Sequence, residues 1–504
     1  MNKVALLAAS LLVFFALLFA PIDPSVMPVE ARYVTAVTVL MVLLWVTAVI
    51  PLEATALLPL ALFPLLGVLT PTEAATSYGD KVIFLFLGGF IIAMSMQRWG
   101  LHRRMALHII KLVGTSPKRL ILGFMLATAF LSMWISNTAT AMMMIPIAVA
   151  IILTIIPETN KELENLTEEQ GSLAKCLIIS IPYAASIGGI ATLIGTPPNG
   201  IFLAQVETLF PDAPTVDFFT WMKFGVPFAA VFLILAWLWL TYVPYRGMTK
   251  TLPEAKGIIA TELEKMGAMS TGEVWTLIIF VLTALAWIFE TTKHIGDITI
   301  PGLDMLFPGI HDSTIAIAGA FLLFVLPVNA KKGIFTMDWK WAVKIPWGIL
   351  ILFGGGIALS NAFVRSGLAA EIVGWLTLFH GLPLIAVILI VALGVSFATE
   401  IASNTAMAAV LMPIMAVTAV SMGVNPYLLM ITAAVCSSLA FMLPVATPPN
   451  AIAYGSGYLG SRDLLRSGWV LDIIGVAIWT FFLFTVLMWA LGISTDLPAW
   501  ALTP

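Results

Sequence analysis

Residues 136–147, Ser-Asn-Thr-Ala-Thr-Ala-Met-Met-Met-Ile-Pro-Ile, have a second version at residues 403–414, Ser-Asn-Thr-Ala-Met-Ala-Ala-Val-Leu-Met-Pro-Ile. The shift from 136 to 403 is 267 residues, and the same shift places Gly88 on Gly355. The two stretches align without a gap over about sixty residues, which predicts that one structural unit occurs twice in the fold.

A second repeated motif, Thr-Pro-Pro-Asn, follows each copy of the first, at residues 196–199 and 447–450. Each proline removes a backbone N–H, and the second proline restricts the first, so the pair cannot lie inside a regular helix. Apolar segments 176–203 and 428–453 are therefore predicted to be broken helices. Such breaks free carbonyl groups for a cation and present helix ends to an anion.

The composition places the chain in a lipid bilayer. Of its 504 residues, 60% are hydrophobic and 10% are charged, with a mean hydropathy of +1.03. Soluble domains carry about 25% charged residues. The net charge of −3 argues against a nucleic-acid partner. Both cysteines, Cys176 and Cys436, lie in apolar runs and are interpreted as small core residues, and no Walker A sequence supports ATP hydrolysis.

The length of the apolar segments predicts about eleven membrane-spanning helices. The apolar stretches that contain the Ser-Asn-Thr motifs, about 120–156 and 383–420, are each long enough to enter the membrane and return. With a cytoplasmic N-terminus and two such re-entrant hairpins, all four clusters of basic residues lie on the cytoplasmic side. The first hairpin then enters from the inside and the second from the outside, which predicts an inverted repeat. Residues 1–20 are interpreted as a retained first helix.

This layout divides the chain into five parts. They are an N-terminal helix with an outside loop (1–33), a first inverted repeat (34–243), a cytoplasmic linker (244–272), a second inverted repeat (273–492) and a C-terminal tail on the outside (493–504). Within the first repeat, the charged stretch 158–175 is expected to be a cytoplasmic loop. The Gly88-Gly89 and Gly354-Gly355-Gly356 runs are expected to allow close helix packing.

Ser, Asn and Thr side chains suit a hairpin tip inside a membrane. They cap the free N–H groups at a helix start, and they offer oxygen ligands and hydrogen-bond donors to a bound molecule. No Lys or Arg adjoins the motifs, and the one nearby acid is Glu400. It is the one candidate for a proton-coupling residue, and the favoured interpretation is a carboxylate at a helix start that faces water. Hydroxyl, amide and carbonyl oxygens suit Na⁺. Two equivalent tips that face one cavity favour a dianionic substrate, with one carboxylate at each tip.

These motifs resemble those of the divalent anion/sodium symporters, a family of di- and tricarboxylate carriers, over roughly residues 30–490. The resemblance implies an all-α homodimer in the inner (plasma) membrane, with a scaffold domain and an elevator-type transport domain in each protomer. It also implies at least two co-transported Na⁺ ions and a C4-dicarboxylate such as succinate, malate or fumarate. The implied sodium ligands are Ser132, Ser136, Asn137 and Gly195 at one site and Thr399, Ala402, Asn404 and Ala446 at the other. The implied substrate-binding residues are Asn137, Thr138, Ser403, Asn404, Thr405 and Pro448, with Thr196 and Thr447 as close neighbours.

Several alternatives remain open at this point. The same fold could exchange dicarboxylates without sodium, or it could carry sulfate or citrate. An ion channel also uses re-entrant loops, but paired broken helices argue against it. A membrane enzyme would need a nucleophile with its base or a metal cluster, and none of the five histidines lies at a motif. The sequence therefore predicts a carrier and no enzymatic activity.

Overall fold

The structure is a computed structural model that describes residues 3–24, 26–114, 116–155, 167–248, 253–295, 298–368, 371 and 381–502. In the first half of the chain the α-helices are α1 Lys3–Leu18, α2 Val29–Thr47, α3 Leu52–Thr55, α4 Leu58–Leu65, α5 Pro71–Thr76, α6 Lys81–Trp99, α7 Leu101–Val113, α8 Pro117–Ser132, α9 Asn137–Ile155, α10 Glu168–Ile190, α11 Pro197–Leu209, α12 Phe218–Tyr242 and α13 Pro253–Met266.

In the second half they are α14 Thr271–Ile288, α15 Asp312–Val325, α16 Trp339–Ala342, α17 Trp347–Ser366, α18 Leu384–Thr399, α19 Asn404–Ser421, α20 Pro426–Cys436, α21 Pro448–Gly455, α22 Ser461–Phe482 and α23 Met488–Leu491. A π-helical turn, Leu483–Leu487, joins α22 to α23. The described strands form two small antiparallel pairs, β1 Lys293–Ile295 with β2 Ile298–Ile300 and β3 Pro327–Asn329 with β4 Ile334–Phe335.

Nine of the described helical segments are long and apolar enough to cross a membrane. Shorter apolar helices, among them α1, α15 and α18, accompany them. The predicted span at 53–69 consists of two short helices, α3 and α4, and Pro59, which has no N–H to continue the hydrogen bonding of α3, lies at the start of α4. The prediction of a helical, multi-pass membrane protein is confirmed, while the boundaries of the two repeats stay predictions.

The leading helices of the two repeats, α6 and α17, end in the same way. Helix α6 stops at Gly100, with φ of 75°, and α17 stops at Gly367, with φ of 70°. Glycine adopts this left-handed conformation without a steric penalty, and it commonly terminates helices. Because these two glycines are related by the same shift as the Ser-Asn-Thr motifs, the equivalence read from the sequence extends to local backbone geometry.

Glycines let the leading helices approach their neighbours closely. A Cβ atom on Gly88 would lie 2.5 Å from the backbone carbonyl carbon of Ala316 in α15. A Cβ atom on the equivalent Gly355 would lie 2.6 Å from the carbonyl oxygen of Ala56, the residue that follows α3. The prediction that these glycines serve helix packing is therefore confirmed.

Each Ser-Asn-Thr motif forms the tip of a helical hairpin. Helices α8 and α9 are joined by residues 133–136, and α18 and α19 by residues 400–403. The short connections return the chain beside itself, and each returning helix starts at the asparagine of the motif. A helix–turn–helix unit therefore occupies each predicted hairpin position, while the re-entrant placement of the two hairpins in the membrane stays a prediction.

Each Thr-Pro-Pro-Asn motif restarts a broken helix. Helix α10 ends at Ile190 and α11 begins at Pro197, while α20 ends at Cys436 and α21 begins at Pro448. Proline suits the first position of a helix because its missing N–H has no intrahelical partner there. The predicted cytoplasmic loop 158–175 is wrong in its second part, because α10 already begins at Glu168 with a capping box from Thr167. Residues 156–166 lie outside the described residues.

Candidate functional site

The two hairpin tips and the two helix breaks meet around one cavity of about 540 Å³. All of the predicted site residues except Ser132 and Thr399 line it. These two are fully buried behind the cavity wall, where each contacts the asparagine of its own motif. The lining residues are Trp45, Val46, Ala48, Leu52, Glu53, Phe90, Ser136, Asn137, Thr138, Ile194, Gly195, Thr196, Pro197, Ile349, Leu352, Ile401, Ala402, Ser403, Asn404, Thr405, Val445, Ala446, Thr447, Pro448 and Pro449.

Serine hydroxyls cap both returning helices at the cavity. Ser136 Oγ accepts a hydrogen bond from the Ala139 N–H at 3.3 Å, and Ser403 Oγ accepts one from the Ala406 N–H at 3.5 Å. The N-termini of α9 and α19 therefore open into the cavity. Free N–H groups and the helix dipole favour negative charge at such a position.

Oxygen atoms converge around Asn137 at the first tip. Ser132 Oγ lies 2.6 Å from the inward-facing atom of the Asn137 amide, and the carbonyl oxygens of Ala185 and Gly195 lie 3.1 and 3.3 Å from it. With its nitrogen turned inward, the amide donates to these oxygens. With its oxygen turned inward, it forms a set of four oxygens that could coordinate a cation. Neutral oxygens of this kind are the ligands of hard cations, so the set fits Na⁺.

The second tip has a related arrangement around Asn404. Thr399 Oγ1 lies 2.6 Å from Asn404 Oδ1 and 2.9 Å from the carbonyl oxygen of Ser437. The single proton of the Thr399 hydroxyl cannot make a full hydrogen bond to both oxygens. This set of three oxygen atoms therefore also suits a cation. Ala402 and Ala446 line the cavity next to it and could add backbone carbonyls. Thr399 is the residue that the 267-residue shift pairs with Ser132, so the two clusters are built from equivalent positions.

The asparagines of the Thr-Pro-Pro-Asn motifs have a role that sequence reasoning missed. Asn199 Nδ2 donates to the carbonyl oxygens of Gly189 and Thr192, at 3.3 and 2.8 Å. Asn450 Nδ2 donates to the equivalent carbonyl oxygens of Ala440 and Leu443, at 3.2 and 3.1 Å. Both side chains are fully buried. Each asparagine therefore holds its helix break in shape by occupying carbonyl groups that the break leaves free.

Glu400 corrects an expectation from the sequence. The side chain is 2% exposed, so the interpretation that it faces water is wrong. Its carboxylate accepts hydrogen bonds from the N–H groups of Met442 and Leu443, at 2.8 and 2.9 Å. Glu400 thereby ties the tip of the second hairpin to the second helix break. The equivalent position in the first repeat is Met133, so the first hairpin has no carboxylate at this position.

Removal of the Glu400 carboxylate should therefore destabilise the second break. We expect Glu400→Ala to lower the free energy of unfolding by about 2–4 kcal/mol, because two buried N–H groups lose their acceptor. Glu400→Gln, which keeps one acceptor oxygen, should lose less. Thermal melting of the purified protein measures both, with the exposed Glu30→Ala as a control. Equal melting temperatures for Glu400→Ala and the control would contradict this assignment.

A helical membrane protein whose paired hairpins and paired broken helices enclose one cavity has the architecture of a repeat-built secondary transporter. The family described as the sodium:sulfate symporter transmembrane region matches residues 1–493. The chain belongs to this family.

Relatives of known name match nearly the whole chain. A protein of Staphylococcus saprophyticus named sodium-dependent dicarboxylate transporter SdcS is 40% identical over 98% of this chain and 92% of its own length. The SdcS protein of Staphylococcus aureus is 41% identical over 98% of this chain and 93% of its own length.

Two solved structures share the fold at low sequence identity. MtrF of Neisseria gonorrhoeae, described among antimetabolite efflux pumps, matches with a TM-score of 0.55 and 14% identity, over 83% of each chain. The YdaH transporter of Alcanivorax borkumensis matches with a TM-score of 0.54 and 15% identity, over 93% of this chain and all of its own. These likenesses concern the fold alone.

Proposed function

We propose that this protein is a secondary active transporter that couples the movement of Na⁺ to the uptake of C4-dicarboxylates such as succinate, malate or fumarate. One observation carries the proposal: Asn137 and Asn404 each belong to an oxygen cluster and to the wall of the cavity. The cations and the anion would thus bind side by side. The names of the SdcS relatives support the choice of sodium and dicarboxylate.

The cavity can hold a dianion between two helix N-termini. Asn137 and Thr138 would meet one carboxylate, and Ser403, Asn404 and Thr405 would meet the other. Pro448 lines the pocket beside them, with Thr196 and Thr447 as neighbours. No lysine or arginine lines this cavity in the described part of the chain, so the negative charge would be offset by amide groups and by bound Na⁺.

Shared residues give a direct route to coupling. Sodium at the first site fixes the oxygen of the Asn137 amide inward and thereby turns its N–H₂ group toward the cavity, where it can donate to a carboxylate. Sodium at the second site does the same for Asn404. Each ligand therefore organises the binding site of the other, which is a reciprocal coupling free energy.

The movement is proposed to follow an elevator mechanism. The hairpins α8–α9 and α18–α19, with their broken helices, would form a transport domain that slides against a scaffold, in two inverted repeats over 34–243 and 273–492. The cavity is bounded on its other side by α2, α3 and α17. With the proposed cytoplasmic N-terminus, these lining ends of α2 and α3 would face the cytoplasm, and the cavity would open inward. A homodimer in the plasma membrane completes the proposal.

Uptake of radiolabelled succinate into proteoliposomes tests this function. Uptake is expected with an inward Na⁺ gradient and not with choline in place of Na⁺. If uptake is independent of Na⁺ and requires dicarboxylate inside the proteoliposomes, the protein is an exchanger. Because the description of the family names sulfate, sulfate and citrate are tested as competitors of succinate uptake. If either competes more strongly than malate does, the substrate would be reassigned to that anion.

A further inference from the structure

One charged side chain, Glu53, lines the cavity, and no role in binding accounts for it. It is the second residue of the short helix α3 and is exposed to the cavity. Among the described residues, no lysine or arginine forms an ion pair with it. This wall of the cavity therefore carries an acidic side chain that no described basic side chain neutralises.

Glu53 packs against α17 at Gly348. A Cβ atom on Gly348 would lie 2.3 Å from Glu53 Cγ and 2.4 Å from Glu53 Oε1. The absence of a side chain at Gly348 therefore leaves room for the glutamate beside α17. In this position the carboxylate lies at the wall formed by α2, α3 and α17.

The negative charge of a carboxylate has opposite effects on the cation and on the anion that bind in the cavity. It attracts Na⁺ and repels a dicarboxylate, and it repels a tricarboxylate more strongly. Glu53 belongs to the wall formed by α2, α3 and α17, whereas the ligand-binding oxygens belong to the hairpins and the helix breaks. The electrostatic effect of Glu53 on the ligands therefore depends on the distance between these two walls. In the arrangement described here they share one cavity.

We propose that Glu53 is a specificity-determining residue that lowers the affinity of this cavity for anions according to their charge and raises its affinity for Na⁺. This inference rests on the proposed function. Its consequence is that the dicarboxylate is bound loosely in the state where the cavity adjoins α3, which promotes release on that side, and that anions of higher charge are disfavoured there.

The test uses the full-length protein in lipid nanodiscs and isothermal titration calorimetry. Glu53→Gln removes the charge and keeps the size of the side chain. Na⁺ alone should bind about two- to tenfold more weakly to this variant, as expected for the loss of one nearby charge near a protein surface. Succinate at saturating Na⁺ should bind more tightly, and by a larger factor, because it carries two charges. Citrate at pH 8 should gain more than succinate.

Glu30→Gln is the matched control, because Glu30 is an exposed glutamate at the far end of α2 from the cavity. It should leave all three affinities unchanged. Damage to the fold by Glu53→Gln would weaken Na⁺ and succinate binding together, so opposite shifts are the result that identifies a charge effect. Unchanged affinities, or shifts in the same direction, overturn the inference. If the unaltered protein itself fails to bind succinate with Na⁺, the proposed function is what fails.

Discussion

Asn137→Ala is expected to reduce Na⁺-driven succinate uptake by about 100-fold, because a shared ligand is lost and buried oxygens remain without a partner. The substitution removes the amide that lies 2.6 Å from Ser132 Oγ and within 3.3 Å of the Gly195 carbonyl oxygen. Both the affinity for Na⁺ and the affinity for succinate should fall. Asn404→Ala should act in the same way at the second tip, where Thr399 loses one of its two partners.

Asn137→Asp separates the two functions of this side chain. It keeps an oxygen for the cation and adds a negative charge, so Na⁺ binding should be retained while succinate binding weakens. Asn361→Ala is a suitable control, because Asn361 is half-buried in α17 and bonds to Ser77 Oγ away from the cavity. Radiolabelled uptake at several Na⁺ concentrations measures the effect. Uptake by Asn137→Ala within twofold of the unaltered protein would rule out the shared-ligand assignment.

Gly189→Ala is expected to weaken Na⁺ binding at least about tenfold, because the added methyl group overpacks the first oxygen cluster. Its Cβ atom would lie 2.6 Å from Asn137 Oδ1 and 3.1 Å from the carbonyl oxygen of Gly195. Neither neighbour can retreat without opening the cluster. Succinate affinity should fall with it, through the coupling of the two ligands.

Gly171→Ala is the matched control on the same helix, α10, since no atom lies within 4 Å of its added Cβ. It should leave Na⁺ binding unchanged and slightly stabilise the helix. Calorimetric titration of Na⁺ into both variants gives the comparison. If Gly189→Ala binds Na⁺ as well as Gly171→Ala does, the oxygens around Asn137 are not a cation site.

Local chemistry made the hairpins and the helix breaks predictable. Serine caps and paired prolines act on their immediate neighbours, so their consequences follow from the motif alone. The meeting of both tips at one cavity was predicted because the motifs occur twice in equivalent places. The loop 158–175 was misjudged because Glu168 and its neighbours, though charged, start a helix with a good cap.

Contacts made by backbone groups and by distant segments were not predictable. The carbonyl oxygens of Ala185 and Ser437 carry no sequence signal, since every residue has one. Glu400 precedes a helix start and looks solvent-exposed, yet a helix break from another part of the chain covers it. Glu53 belongs to an apolar segment far from either motif, and only the packing of α3 and α17 brings it to the cavity.

The most direct test of the central claim is whether a Na⁺ gradient drives succinate against its own gradient. Proteoliposomes that contain no dicarboxylate are given an inward Na⁺ gradient, and the internal concentration of labelled succinate is followed over time. The account predicts that the internal concentration rises above the external one and falls back when an Na⁺ ionophore dissipates the gradient. Succinate that only equilibrates, with or without the Na⁺ gradient, would contradict it.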